Sequence, residues 1–75
     1  MSPDELQKVS HVRALFANGK AREQRVIRRI TLQELADAVG ASTSTVHRWE
    51  NGRGMPRGAT ALRLAEILDL TANVI

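Results

Sequence analysis

The sequence contains no cysteine, and Phe16 and Trp49 are its only aromatic residues. Without cysteine, neither disulfide bonds nor a thiolate metal site can reinforce a core as small as a 75-residue chain allows. Two aromatic rings are too few for the stacking platforms of single-strand binders. No apolar run approaches the roughly 18 residues of a membrane span, and no signal-peptide pattern opens the chain. These absences predict an intracellular, soluble, single-domain protein.

Positive charge is modest in total but concentrated in two stretches. The net charge is +3, and hydrophobic residues make up 43% of the chain, which favours a folded domain over a disordered tail. Each stretch holds one acidic residue, Glu23 or Glu50. The cations are Lys20, Arg22, Arg25, Arg28 and Arg29 in the first stretch, and Arg48, Arg53, Arg57 and Arg63 in the second. Such clustering indicates an anionic partner, with nucleic acid as the first candidate.

Capping and stop signals divide the chain into about five short helices and no strand. Serine or threonine caps with a glutamate three residues later, and glycines that end helices, give the boundaries. The predicted helices cover residues 3–18, 20–29, 32–39, 43–50 and 59–68. We leave residues 70–75 open as a frayed tail, a strand-like dimer arm or a packed end.

Apolar residues at helical spacing predict which side of each helix faces the core. The predicted inward residues are Leu6, Val9, Val12 or Arg13, and Phe16 in the first helix, Val26, Ile27 and Ile30 in the second, and Leu62, Ala65 and Leu68 in the last. Trp49 shares a face with Val46, so we expect it in the core rather than stacked on a base.

The stretch from Thr31 to Asn51 carries the functional signal. Two capped helices separated by Gly40 and a short turn are typical of a helix-turn-helix. The motif consists of Leu35-Ala36, Gly40, Ser42, Val46 and Trp49-Glu50-Asn51-Gly52, followed by Pro56.

This motif resembles the Cro/C1-type, lambda-repressor-like helix-turn-helix family over about residues 20–70. The resemblance implies an all-α DNA-binding fold in one domain, 1–75, to which the helix at 3–18 is an added element. In such a unit the second helix enters the major groove with its N-terminal residues at the base edges. The resemblance therefore implies base reading by Thr43, Ser44 and Arg48, with His47 nearby. Arg48 is the strongest candidate, because arginine binds guanine bidentately. The alternative is that the two hydroxyls only solvate the helix surface.

The resemblance also implies contacts to the DNA backbone. The candidate residues are Ser42, Thr45, Gln33, Asn51, Arg53, Arg57, Lys20, Arg28 and Arg29. Ser42 also fits a plain N-cap, and the cations at 20, 28 and 29 fit equally a solvated surface. The family usually has glutamine directly after the threonine cap, where this chain has Leu32 and then Gln33. Backbone N–H groups at that helix start can still bind a phosphate.

One acidic residue has a structural interpretation. By resemblance, Glu50 pairs with an arginine of the preceding long helix, which here is Arg25. We expect this ion pair to hold the recognition unit against the scaffold rather than to contact DNA.

No pattern indicates catalysis, a cofactor or a small-molecule ligand. His11 and His47 lack partners at metal-ligand spacing, the glycines at 52, 54 and 58 fit no phosphate-binding loop, and no nucleophile–base set is present. Arg53-Gly54-Met55-Pro56-Arg57 lacks the continuous core of a minor-groove hook. The sequence therefore predicts a binding protein and not an enzyme.

We expect a sequence-specific regulator of double-stranded DNA, a repressor of prokaryotic or phage origin that acts as a homodimer in the cytoplasm at the nucleoid, without membrane contact. Two alternatives stay open: an antitoxin that binds a toxin and its own promoter, and a DNA-bending or recombination-directing factor. An adaptor that never touches DNA would not need the basic loop.

Overall fold

A computed structural model describes residues 1–69 and shows five helices in that range, without a strand. The helices are α1 (Pro3–Ala17), α2 (Lys20–Ile27), α3 (Leu32–Val39), α4 (Thr43–Glu50) and α5 (Gly58–Asp69). The predicted all-α, five-helix fold is confirmed. The three possibilities considered for residues 70–75 lie outside the described residues.

Side-chain caps start three of the helices where the sequence predicts them. At α1 the Ser2 hydroxyl accepts a hydrogen bond from the Glu5 backbone N–H at 3.2 Å, and the Glu5 carboxylate accepts one from the Ser2 N–H at 3.0 Å. Thr31 and Glu34 form the same reciprocal box at α3. At α4 the Ser42 hydroxyl accepts from the Thr45 N–H at 3.1 Å. Caps of this kind contribute about 1 kcal/mol each, and they define where each helix begins.

Three consecutive helices end in the same hydrogen-bonded turn, the Schellman motif. In each motif a residue with positive φ follows the helix, and the next N–H reaches back five residues to a carbonyl. At α2 these bonds run from Arg29 to Val26 at 2.9 Å and from Ile30 to Arg25 at 3.1 Å. The positive-φ residues are Arg29 at 57°, Gly40 at 71° and Gly52 at 73°. Arg29 thus adopts a positive-φ conformation, whereas the two equivalent positions are occupied by glycine.

The core lies where α1 and α5 pack together and where α3 and α4 close over them. Eleven hydrophobic side chains are at most 2% exposed: Val9, Val12, Phe16, Ala21, Leu35, Ala36, Val46, Ala61, Leu64, Ala65 and Leu68. Three of them belong to α1, so the helix predicted as an added element supplies part of the only core in the described chain. The helix-turn-helix therefore packs against the helix before it in the chain, α1, and the helix after it, α5.

The apolar face predicted for the second helix is wrong for Val26 and Ile27, whereas Ile30, in the turn after the helix, packs against the core as predicted. The helix ends at Ile27 rather than at Arg29, and the side chains of Val26 and Ile27 are 54% and 70% exposed. The inward positions are instead Ala21, which is buried, and Arg25, one turn later on the same side. The inward side of α2 is determined by the buried ion pair of Arg25, which outweighs the apolar pattern of this short helix.

One further inward assignment is wrong. Leu6 has the spacing of the buried α1 residues, but it is 56% exposed, because burial along this helix begins only at Val9. In α5, Leu62 is half-buried and packs against the core as predicted, and the fully buried stripe also includes Leu64. Helical spacing identifies a face, but it does not show how far along that face the neighbouring helices reach.

Candidate nucleic-acid interface

The outer face of α4 carries a continuous polar stripe. Ser44, His47, Arg48 and Asn51 are all exposed, and the last three lie three, four and seven residues after Ser44. Residues at this spacing lie on one side of a helix, so the four side chains share one surface. Thr43, at the first position of the helix, is half-buried. Of the sequence-predicted base readers, Ser44, His47 and Arg48 therefore lie together, and Thr43 lies at the edge of their surface.

The opposite face of α4 is fastened to the rest of the domain. Val46 is fully buried, and Trp49 is half-buried against the core. The ring of Trp49 meets that of Phe16 on α1 edge to face, with centroids 6.1 Å apart. The prediction that Trp49 packs into the core is confirmed, since its side chain is half-buried against the core.

Arg25 and Glu50 form a buried, bidentate ion pair. Arg25 Nε and Nη2 donate to the two carboxylate oxygens of Glu50 at 2.7 and 3.2 Å, and Arg25 Nη1 donates to the Ile30 carbonyl at 2.9 Å. The side chain of Glu50 is 3% exposed and that of Arg25 is 12% exposed. This geometry joins the end of α4 to α2 and to the turn before α3, and it keeps the one carboxylate of α4 away from the polar stripe.

The hydroxyls of Ser42 and Thr45, at the start of α4, both take part in the hydrogen bonds that cap this helix. Ser42 Oγ lies 2.9 Å from Thr45 Oγ1 and also accepts the Thr45 backbone N–H. Ser42 is exposed and Thr45 is half-buried. Each hydroxyl retains capacity for a further hydrogen bond, since a hydroxyl offers one donor and two acceptor positions.

The start of α3 is exposed and has a defined electrostatic environment. The backbone N–H and then the hydroxyl of Thr31 hold the pKa of the Glu34 carboxyl below its usual value. The N–H groups of Leu32 and Gln33, the first two in the helix, have no intrahelical acceptor. The side-chain amide of Gln33 donates to Asp37 at 2.9 Å, one turn further along the helix. Free backbone donors are thus available at this end, while the Gln33 amide is directed away from it.

The segment after α4 is held by backbone bonds and by α1. Asn51 Nδ2 donates to the His47 carbonyl at 2.9 Å and closes the end of the helix. The buried Pro56 offers its carbonyl to Arg13 Nε of α1 at 3.3 Å. The predicted phosphate-contacting residues Arg53 and Arg57 are both exposed on this anchored segment.

The predicted phosphate-contacting cations of α2 and of the turn after it differ in their surroundings. Lys20 and Arg29 are exposed. Arg28 is half-buried, and its Nη1 donates to the carbonyl and the side-chain oxygen of Gln24 at 2.8 and 2.7 Å. Of these three predicted phosphate-contacting residues, the guanidinium of Arg28 is thus partly engaged within its own helix.

Two residues of this surface were not predicted as site residues. Arg22 is exposed and lines a cleft between α2 and the end of α4, and Arg13 holds the segment after α4. Arg22 belongs to the first basic stretch, but nothing in the sequence distinguishes it from the cations around it. Arg13 lies 43 residues from its partner, and no local pattern reports such a contact.

The geometry defines a helix-turn-helix protein whose α4 carries an exposed polar face. A family model described as Helix-turn-helix matches residues 22–75, more than half of the chain. The chain belongs to this helix-turn-helix family, the Cro/C1 type, as the sequence motif predicts. It is a DNA-binding regulatory family and not a family of enzymes. The match begins after α1, and no curated protein or solved structure matches the chain significantly.

Residues 1–69 contain neither a membrane-spanning helix nor a cluster of metal ligands. None of the helices there combines the length and apolar character that crossing a bilayer requires. No group of three or more His, Asp or Glu side chains in that range is arranged to bind a metal ion.

Proposed function

We propose that this protein recognises a specific double-stranded DNA sequence through α4 and represses transcription there. The single observation that carries the proposal is the exposed stripe of Ser44, His47, Arg48 and Asn51 on a helix whose other face is locked to the core. A rigid helix with polar side chains along one face is the element that enters a major groove. Occupation of an operator by this domain would exclude polymerase.

In this proposal the side chains divide into two groups by what they contact. Arg48, Ser44 and the half-buried Thr43 face the bases, with His47 beside them. The proposed backbone contacts are Ser42, Thr45, Gln33, Asn51, Arg53, Arg57, Lys20, Arg28 and Arg29. Exposed cations that flank a recognition helix supply the sequence-independent part of DNA affinity. Family members of this size commonly bind palindromic sites as dimers, so we propose a homodimer on DNA in a bacterial or phage-host cytoplasm.

Selection from random duplexes tests the proposal directly. Wild-type protein should enrich one motif, and Arg48→Ala should lose or relax the preference at one base pair of it. Such a contact is worth about 1–3 kcal/mol of discrimination. Arg57→Ala should instead weaken binding to all sequences alike and reduce the salt slope by about one. Failure to enrich any motif, with no effect of Arg48→Ala, would contradict specific recognition.

The antitoxin alternative predicts an exposed apolar surface on α1 or on the tail at 70–75, and the tail lies outside the described residues. In residues 1–17, only Met1 and Leu6 are large exposed hydrophobic residues. Met1 precedes α1, and Leu6 lies near its start. Scattered exposed apolar residues are ordinary on a protein surface. Co-purification of a stable protein partner would favour the antitoxin, and a large bend in circular-permutation gel shifts would favour the DNA-bending alternative.

A further inference from the structure

The segment between α4 and α5 carries two of the proposed phosphate contacts but has little hydrogen-bonded structure of its own. Arg53 and Arg57 are exposed near its two ends. Backbone hydrogen bonds fix those ends, from the Arg53 N–H to the Arg48 carbonyl at 2.9 Å and from the Thr60 N–H to the Arg57 carbonyl at 3.1 Å. Within residues 1–69, no backbone–backbone hydrogen bond reaches residues 54–56 between them. The path of this middle part therefore depends on contacts from elsewhere in the fold.

The helix α1 reaches the middle of the segment in two ways. Arg13 is half-buried, and its Nε donates to the carbonyl of the buried Pro56 at 3.3 Å. Gly54 runs along the indole of Trp49, since a Cβ at position 54 would lie 3.6 Å from Trp49 Cδ1. The Trp49 ring in turn meets Phe16 of α1 edge to face. The segment is thus supported at Pro56 by a hydrogen bond and at Gly54 through an aromatic ring.

The hydrogen bond from Arg13 has no local substitute. Proline has no backbone N–H, so the carbonyl is the one backbone group through which position 56 can be hydrogen-bonded. Arg57 follows Pro56 directly, and Arg53 precedes it by three residues. A shift of Pro56 therefore moves the backbone that carries both cations. A loop that has to be ordered on binding costs affinity, whereas a loop already held in place does not.

We propose that Arg13 is a positioning residue for DNA binding, which holds residues 53–57 through the Pro56 carbonyl so that Arg53 and Arg57 meet backbone phosphates without first being ordered. Arg13 acts through this segment and does not itself contact DNA. The inference rests on the proposed function and deepens it, because it makes α1, which lies outside the family-matched residues 22–75, part of the DNA-binding machinery.

A double-mutant cycle on DNA affinity tests the inference. Arg13→Met keeps an aliphatic stem but removes the donor, whereas Arg13→Lys keeps a charged donor. Arg13→Met should weaken binding to the selected duplex about fivefold, because the segment must then be ordered on binding, and it should leave the base preference unchanged. Arg13→Lys should recover most of this loss. In the Arg53→Ala/Arg57→Ala background, Arg13→Met should cause no further loss.

The fluorescence of Trp49, the one tryptophan of the chain, reports on the segment in the absence of DNA. Arg13→Met should make this indole more accessible to acrylamide, because Gly54 then covers it less closely. Lys8→Met is the matched control, since it removes one exposed cation from the same helix. It should leave the quenching unchanged and the affinity within about twofold of wild type, because a distant exposed charge is screened by salt. Thermal melting sets a temperature at which every variant is folded.

Two results would overturn the inference while leaving the proposed function in place. An equal loss from Arg13→Met in wild type and in the Arg53→Ala/Arg57→Ala background would show that Arg13 contacts DNA itself. Unchanged affinity or unchanged quenching in Arg13→Met would show that Arg13 does not hold the segment for binding. In both cases an enriched motif that Arg48→Ala alters would still support the proposed function. If wild type binds no duplex, the proposed function fails and the inference fails with it.

Discussion

The ring of Phe16 in α1 meets the ring of Trp49 in α4 at an interplanar angle of 78°, with the centroids 6.1 Å apart. Phe16 is 1% exposed, and it lies outside the segment that the family model matches. A helix beyond the matched region therefore packs directly behind the proposed recognition helix. The α1 contact from Arg13 to the Pro56 carbonyl supports the segment that follows α4 in the same way.

Substitution of Phe16 should destabilise the whole domain. We expect Phe16→Ala to lower the free energy of unfolding by about 3–5 kcal/mol, because it removes a buried aromatic side chain and leaves a cavity. Phe16→Leu should cost about 1 kcal/mol through loss of the ring–ring contact. Urea denaturation measures both. Leu6→Ala, on the exposed part of α1, should change stability by less than about 0.5 kcal/mol, and equal effects at the two positions would contradict the core position of Phe16.

Removal of one member of the buried ion pair should cost far more than removal of both. Glu50→Leu leaves the Arg25 guanidinium buried without its carboxylate, which typically costs about 3–5 kcal/mol. The double variant Arg25→Met/Glu50→Leu should be more stable than the sum of the single losses predicts, although the Arg25 bond to the Ile30 carbonyl is lost as well. A double-mutant cycle by chemical denaturation measures this coupling. Strict additivity would show that the two side chains do not interact.

Arg29→Gly should affect stability and DNA affinity in opposite directions. Arg29 has a φ of 57°, where a side chain costs about 1 kcal/mol relative to glycine. The variant should therefore unfold at higher temperature but bind DNA with a lower salt slope, if Arg29 contacts a phosphate. Differential scanning calorimetry and gel shifts at several salt concentrations measure the two effects.

Gly40→Ala is the matched control for backbone strain. Gly40 has a φ of 71°, and a methyl group there would meet no atom within 4 Å. Its expected loss, about 1 kcal/mol, is therefore conformational rather than steric. A stability gain for Gly40→Ala, or a loss for Arg29→Gly, would contradict the strain argument.

The capping box of α3 should make stability depend on pH in the acid range. The hydrogen bonds from Thr31 lower the pKa of Glu34 in the folded state below its unfolded value. A lowered folded pKa means that the stabilisation is complete above the unfolded value, about 4.3, and is lost as pH falls through the folded value. Denaturant midpoints between about pH 3 and pH 6 should fall less steeply for Glu34→Gln than for wild type. Thr31→Ala should flatten the same range only in part, because the backbone N–H at position 31, the larger cause of the lowered pKa, is retained. An unchanged pH profile for Glu34→Gln would contradict this assignment.

Much of the local structure was predictable because its causes lie within a few residues. The boxes of Ser2 with Glu5 and of Thr31 with Glu34 each span three residues, and the glycine stops at Gly40 and Gly52 act on the preceding turn. The helix-turn-helix motif is equally local in sequence. Its side chains fall on the exposed face of α4 because Val46 and Glu50 occupy the other face.

The sequence by itself therefore determined the number of helices, the capped starts of three of them, the stops at Gly40 and Gly52, and the family, but not the end of α2 at Ile27. Only the tertiary structure decided that α2 turns Arg25 inward and exposes Val26 and Ile27, and that α1 packs behind α4 through Phe16. It also decided that Arg22 and His47 line one cleft. The physical reason is distance along the chain. Hydrogen bonds between near neighbours follow from local residue types, whereas burial depends on which distant helices arrive at a face and how far along it they extend.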